Sequence, residues 1–241
     1  MSRAGKRRLN PFSSERKSMN IGNTQVLGLL TMLALAFTAC GEGKSNGGTQ
    51  ASGDRLEQSP KESRPEPALQ IKDIKGGTTA LLFDGKFLKT LGRNEIAPMP
   101  VGRKRLKEGK ITLPASSGRV RYFAPRTATP SIRGKVIHGS GGLGLLRRRA
   151  KIEVTDFKID FSGSRIRGDI RVDGKSTADD LPFFVIDTSR LGTPRKEGGE
   201  TVFEGAKVTL TDQAAALISR KLRADRLNAG TPVGSAVLRV R

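Results

Sequence analysis

Residues Lys151 to Lys175 read KIEVTDFKIDFSGSRIRGDIRVDGK, and this stretch decides the fold. In its second half Ile166, Gly168, Ile170, Val172 and Gly174 share one parity, while Arg165, Arg167, Asp169, Arg171, Asp173 and Lys175 share the other. A period of two, with one apolar and one charged set, is that of a strand with one face buried. In the first half the apolar parity is even at Ile152 and Val154 but odd at Phe157, Ile159 and Phe161. A one-residue bulge near Thr155–Asp156 keeps all five side chains on the inner face. Ser162-Gly163-Ser164 supplies the turn of this hairpin.

Outward from the hairpin the same pattern recurs. Lys110 to Pro114, Gly118 to Phe123, Ser131 to His138, Leu181 to Asp187, Thr201 to Phe203, Lys207 to Leu210 and Ser235 to Val240 read as further strands. Asp179-Asp180 reads as a turn, and Gly139-Ser140-Gly141-Gly142 as a tight turn, since no Lys-Ser/Thr follows to make it a phosphate loop. Two short helices interrupt the β pattern. Thr78 to Phe83 is a strand, Asp84 an N-cap, and Phe87, Leu88 and Leu91 the apolar side of a helix closed by Gly92; Thr211 or Asp212 caps a second helix over Gln213 to Leu222. The two units look alike, with Leu82-Phe83-Asp84 matching Leu210-Thr211-Asp212 and Pro100-Val101-Gly102 matching Pro232-Val233-Gly234. As an internal repeat they would set two equivalent helices at two ends or edges of the β structure. Roughly eight to ten short strands at this spacing predict a mainly β domain over 76–241, an antiparallel sandwich or barrel-like fold with two short helices.

The amino-terminal part has a different composition. Lys6, Arg7, Arg8, Arg16 and Lys17 precede the apolar run Val26 to Ala39, which is short for a membrane span, and small residues Thr38 and Ala39 precede the single cysteine. Residues 1–39 read as an export signal. Phe37-Thr38-Ala39-Cys40-Gly41 resembles the bacterial lipobox, which implies that Cys40 is acylated and anchors the chain to the outer face of the cytoplasmic membrane. Residues 40–75, rich in Gly, Ser, Pro and mixed charge, read as a flexible tether.

The formal net charge is +21, and most of the excess lies in the β domain. Such a surface attracts polyanions and anionic headgroups. Export makes intracellular nucleic acid an unsuitable partner and leaves acidic cell-wall polymer and lipid. The densest basic clusters are Arg147-Arg148-Arg149 with Lys151, and Arg103-Lys104-Arg105. Catalysis is poorly supplied. The chain has one histidine, one tyrosine, one cysteine committed to the anchor, and no Gly-x-Ser-x-Gly elbow within 76–241. Glu153, Asp156 and Asp160 form a solvated strand face opposite Lys151 and Lys158. No metal site is expected, and an exported hydrolase ranks behind a binding module.

The order of motifs resembles a family. GTTALLFDGKFLKTLG, then Ile137 to Leu143 (IHGSGGL), Val154 to Asp160 (VTDFKID), Phe184 to Asp187 (FVID), Val208 to Thr211 with its alanine-rich helix, and Ala229 to Gly234 (AGTPVG) are similar to the HtaA-like domains of exported actinobacterial proteins. The resemblance covers nearly all of 76–241. It implies a β-rich surface domain and, in its haem-binding members, a tyrosine ligand assisted by a histidine. The candidates here are Tyr122 and His138, with Arg119, Arg121 or Arg126 to pair with propionates. The first expectation is a non-enzymatic, lipid-anchored envelope protein that binds an anionic component or small ligand or serves as a structural module. A haem-binding lipoprotein of an iron-uptake system is the second.

Overall fold

The parity switch at Thr155–Asp156 is the hinge of the architecture. The computed structural model describes residues 65–102, 108–125 and 129–241. Its strands and helices are β1 (Leu69–Ile71), β2 (Gly77–Phe83), α1 (Gly85–Arg93), β3 (Ala97–Val101), β4 (Lys110–Phe123), β5 (Ser131–His138), β6 (Gly142–Arg147), β7 (Ala150–Asp160), β8 (Arg165–Val172), β9 (Lys175–Asp187), β10 (Arg195–Glu197), β11 (Glu200–Leu210), α2 (Asp212–Leu222) and β12 (Pro232–Val240). Within β7 the register against β8 shifts between Thr155 and Lys158, and Asp156 sits at φ +50°. Aspartate tolerates that left-handed conformation better than most residues. Ile152 and Val154 before the bulge and Phe157 and Ile159 after it are all buried, as the parity argument requires.

At the same bulge β7 changes partner. Gly142 to Arg147 of β6 pair with its first half, Ala150 to Thr155, and Lys135 to Ile137 of β5 pair with Lys158 to Asp160. Because β5 also pairs along β4, the sheet closes on itself. Going round, β4, β2, β12, β11, β9, β8, β7 and β5 are antiparallel neighbours, and β5 returns to β4. The domain is therefore a closed eight-stranded barrel. Closure through β5 depends on two glycines. Gly118 (φ +138°) and Gly134 (φ +120°) face each other's strands so closely that a Cβ would lie 2.2 Å from the Lys135 carbonyl oxygen and 2.1 Å from that of Arg119.

Several elements are longer than expected. Lys110–Pro114 and Gly118–Phe123 are one strand, β4, with a bulge between Ala115 and Ser117. Thr201–Phe203 and Lys207–Leu210 are likewise one strand, β11, irregular between Phe203 and Ala206. Asp179-Asp180 is not a turn but lies within β9, where Asp180 adopts φ +51°. The folded domain also reaches back past the expected boundary at Gly76. Leu69 to Ile71 pair with Tyr122 to Val120, and Ile74 is buried with its N–H on the Gly118 carbonyl.

Both helices cover one end of the barrel. Asp84 caps α1 by accepting from the Lys86 N–H at 2.7 Å, and the helix runs through Gly92 to an Asn94 cap. Thr211 caps α2, accepting from the Ala214 N–H at 3.1 Å and donating to the Pro182 carbonyl at 2.6 Å. Leu217, Ile218 and Leu222 are the buried side of α2, which packs on β7 and β9. The Asn94 side chain joins the two helix ends, donating to the Asp225 carbonyl at 3.0 Å and accepting from its N–H at 2.7 Å. The two strand–helix–strand units are not equivalent. The strands flanking α2 pair with each other, whereas β3 turns away from β2 to pair with β6. The core of the barrel includes Phe157, Phe183, Phe184 and Phe203, each contributing roughly 2–3 kcal/mol by burial.

Candidate functional site

Strand alternation fixes where the expected haem residues point. Tyr122 is 3% exposed and inward on β4 among Val120, Ile132 and Val136. His138, the last residue of β5, is also inward and 2% exposed. The structure does not bring them together. Tyr122 is opposite Ile132 on β5, so the rise along that strand separates it from His138 by about 20 Å. Arg119 and Arg121 fall on the other parity of β4 and are exposed outside the barrel, away from any ligand Tyr122 would hold within it. Arg126 lies outside the described residues.

His138 is fully engaged by the protein. Its Nδ1 is 3.0 Å from the Phe157 carbonyl oxygen and its Nε2 is 2.8 Å from Thr79 Oγ1. A carbonyl only accepts, so Nδ1 carries the proton and Nε2 accepts from the threonine hydroxyl. Burial disfavours the charged ring and lowers its pKa to about 4, with the Phe157 hydrogen bond opposing part of that effect. The histidine is thus a neutral bridge between β5, β7 and β2. Among the described residues no group of three His, Cys, Asp or Glu side chains is placed to hold a metal ion.

The basic cluster gives a more open site. Arg147 to Ala150 form the two-residue turn between β6 and β7, with Arg148 at φ +55°. The turn lies beside the carboxyl end of α2, whose cap, Arg223, is also left-handed at φ +50°. Glycine or asparagine usually fills such positions, yet arginine occupies both. Together Arg147, Arg148, Arg149, Lys221 and Arg223 line an open groove of about 560 Å³ floored by Ala150 and Leu222. The sequence-predicted residues divide into different tasks here. Arg147 is structural: its Nη1 donates to the Leu222 and Arg223 carbonyls at 2.8 and 2.7 Å, which satisfies the end of α2 and complements its dipole. Lys151 is paired with Glu153 at 3.0 Å on the outer face of β7 and is not part of the groove. Arg148 and Arg149 are exposed, with Glu95 3.3 Å from Arg148. Lys221 and Arg223 were not singled out in the sequence; only tertiary packing sets them beside residues far away in the chain. Arg103, Lys104, Arg105 and Cys40 lie outside the described residues.

No protein-family model matches the sequence, and no curated protein matches it. Among solved structures, the chain is similar in fold to the C-terminal domain of HtaA from Corynebacterium glutamicum, at 13% sequence identity and a TM-score of 0.49, over 70% of this chain and 98% of that one.

Several acids of the hairpin and of β9 serve local structure. Asp160 accepts from the Ser162 and Gly163 N–H groups at 3.1 Å and so shapes the β7–β8 turn. Asp180 sits between Lys158 at 3.1 Å and Arg167 at 3.3 Å, and its carboxylate raises the Lys158 pKa. Glu153 lies 3.0 Å from Lys151 and Asp169 accepts from the Asp180 N–H at 2.9 Å, whereas Asp156 is exposed on the bulge. No helix among the described residues is long and apolar enough to cross a membrane.

Proposed function

We propose that this chain is a lipid-anchored envelope protein whose basic barrel binds a polyanionic component of the envelope and performs no catalysis. The observation that carries this reading is the groove in which Arg148, Arg149, Lys221 and Arg223 converge from a strained turn and a helix end, with Glu95 the acid beside them. Arginine presents a planar set of donors suited to phosphate or carboxylate. Two left-handed backbone positions occupied by arginine indicate that the side chains matter there more than the turn does. The lipobox-like Phe37 to Gly41 and the apolar run before it supply the anchor in this reading.

The test is retention of residues 41–241 on purified anionic cell-wall polymer, across a salt series. These residues include every strand and helix of the barrel. Each charge-assisted contact contributes roughly 1.5–3 kcal/mol, so Arg149→Glu/Lys221→Glu should lower affinity at least about tenfold. Retention that ignores salt, or that survives this double substitution, would overturn the assignment of the groove.

A further inference from the structure

A second basic surface lies on the opposite side of the molecule, on the outer face of β4 and β5. Arg119 and Arg121 project outward from β4, and Ser131, Arg133, Lys135 and Ile137 project outward from β5. The register sets Arg121 directly opposite Arg133, and Arg119 directly opposite Lys135. Like charges facing each other across a strand pair are unfavourable, so two such pairs side by side are a cost to the isolated barrel. Little nearby relieves it. Lys135 has Asp160 at 3.8 Å, and Asp187 borders the rim beside Arg121 and Arg133. The Arg133 guanidinium lies over the Phe123 ring at 5.3 Å, which holds it flat against the wall. Ile137, 42% exposed, extends the same face as an uncovered apolar side chain.

We infer that this β4–β5 face docks on anionic lipid headgroups. The surface is the outside of a barrel wall, so it suits a plane of charge better than a single polymer strand. Its place relative to the chain fits the same partner. Because β1 is antiparallel to β4 with Leu69 opposite Tyr122, the residues before Leu69 leave the barrel at the rim where Arg121, Phe123 and Arg133 lie. An anchor reached through that segment therefore starts from the side that carries this face. The groove at the β6–β7 turn is set apart from it by the length of β7, about 30 Å. The inference rests on the envelope reading above, and the two surfaces are tested by separate substitutions.

The experiment is sedimentation of unacylated residues 41–241 with vesicles of phosphatidylglycerol and phosphatidylcholine, against vesicles of phosphatidylcholine alone. Binding should require phosphatidylglycerol and weaken with salt. Arg121→Gln/Arg133→Gln should lower the partition coefficient by about thirtyfold, and Arg149→Glu/Lys221→Glu should leave it unchanged. Arg119→Gln/Lys135→Gln, which spares the Phe123 stack, should weaken binding in the same way. A fluorophore on Ser131→Cys, the sole thiol of residues 41–241, should be quenched by headgroup-labelled lipid, whereas one on Ala216→Cys of α2 should not. Absence of binding to the anionic vesicles would overturn the inference. So would unchanged binding by both β4–β5 variants, equal loss in the groove variant, or loss of wall-polymer retention in the β4–β5 variants with vesicle binding intact. Loss of polymer retention in the groove variant alone bears on the groove and leaves this face standing.

Discussion

Lowering the pH should destabilise this protein through His138. The imidazole is neutral and sealed in the barrel wall, between the Phe157 carbonyl at 3.0 Å and the Thr79 hydroxyl at 2.8 Å. Its pKa is about 4 in the fold, against 6.5 when the chain is open. The unfolded chain therefore binds a proton through that interval while the folded one does not. This contribution to stability is complete above pH 6.5, falls as the pH drops towards 4, and is gone below it. At about 1.4 kcal/mol per pH unit, the interval corresponds to about 3 kcal/mol.

The assay is urea denaturation of wild type and His138→Gln between pH 7.5 and 3.5. His138→Gln should be the less stable protein at pH 7.5, because a three-strand bridge is lost, but its stability should change less on acidification, by about 3 kcal/mol. Asp187 and Glu204 have lowered pKa values, from the Ser189 hydrogen bonds and the Arg195 pair respectively, and lose their contributions at more acidic pH in both proteins. The comparison therefore isolates the histidine. Since the chain has one histidine, its ring resonance can be followed directly by NMR. Parallel pH profiles for the two proteins, or a ring titrating near 6.5 in the folded state, would refute the reasoning.

Gly134→Ala should prevent correct closure of the barrel, because its Cβ would meet the Arg119 carbonyl at 2.1 Å with φ at +120°; loss of soluble, cooperatively melting protein checks this, and an alanine variant as stable as wild type would contradict it. Arg147→Ala should cost about 2 kcal/mol in urea denaturation, since the Leu222 and Arg223 carbonyls lose their donor. Arg148→Gly should do the opposite to stability, raising it by about 1 kcal/mol through relief of the left-handed backbone while weakening polymer retention. Haemin titration followed by absorbance should give no saturable Soret shift that Tyr122→Phe abolishes, and such a shift would install an interior ligand site that Tyr122 and His138, about 20 Å apart, do not form together.

The hairpin at Lys151–Lys175 was legible because local parity determines it. The apolar set of β7 flips at Asp156 and nowhere else, and a bulge is the ordinary way to keep both halves inward. The same kind of flip occurs in β4 and β11, but there it coincides with Ser116-Ser117 and Gly205, residues that also signal turns. Local sequence does not distinguish a bent strand from two short ones, so each reads as a pair. Barrel closure was less visible still, because it depends on β5 reaching both β4 and β7, and no periodicity records which strands meet. The site divides in the same way. Arg147 to Arg149 are conspicuous as a run, yet their tasks differ according to the helix end beside them, and Lys221 and Arg223 carry no local mark of membership.

The opposed ends of the barrel give the charge a use that its total does not. A net charge of +21 spread evenly would favour any anion weakly from every side. Among the described residues, two groups of exposed cations stand towards opposite ends of the barrel. One is at the helix-covered end, where Arg147 gives up its charge to the carbonyls of α2 and thereby fixes the turn that presents Arg148 and Arg149. The other is on the β4–β5 wall beside the emerging amino-terminal segment, where Arg121 faces Arg133. The groove lies about 30 Å from that wall's charged rim, along β7 at the other end of the barrel, so the two surfaces are separate places on the molecule. Reversing charge at one surface should therefore change one partner only, and a protein in which either pair of substitutions weakens both interactions equally would have a single diffuse field in place of two sites.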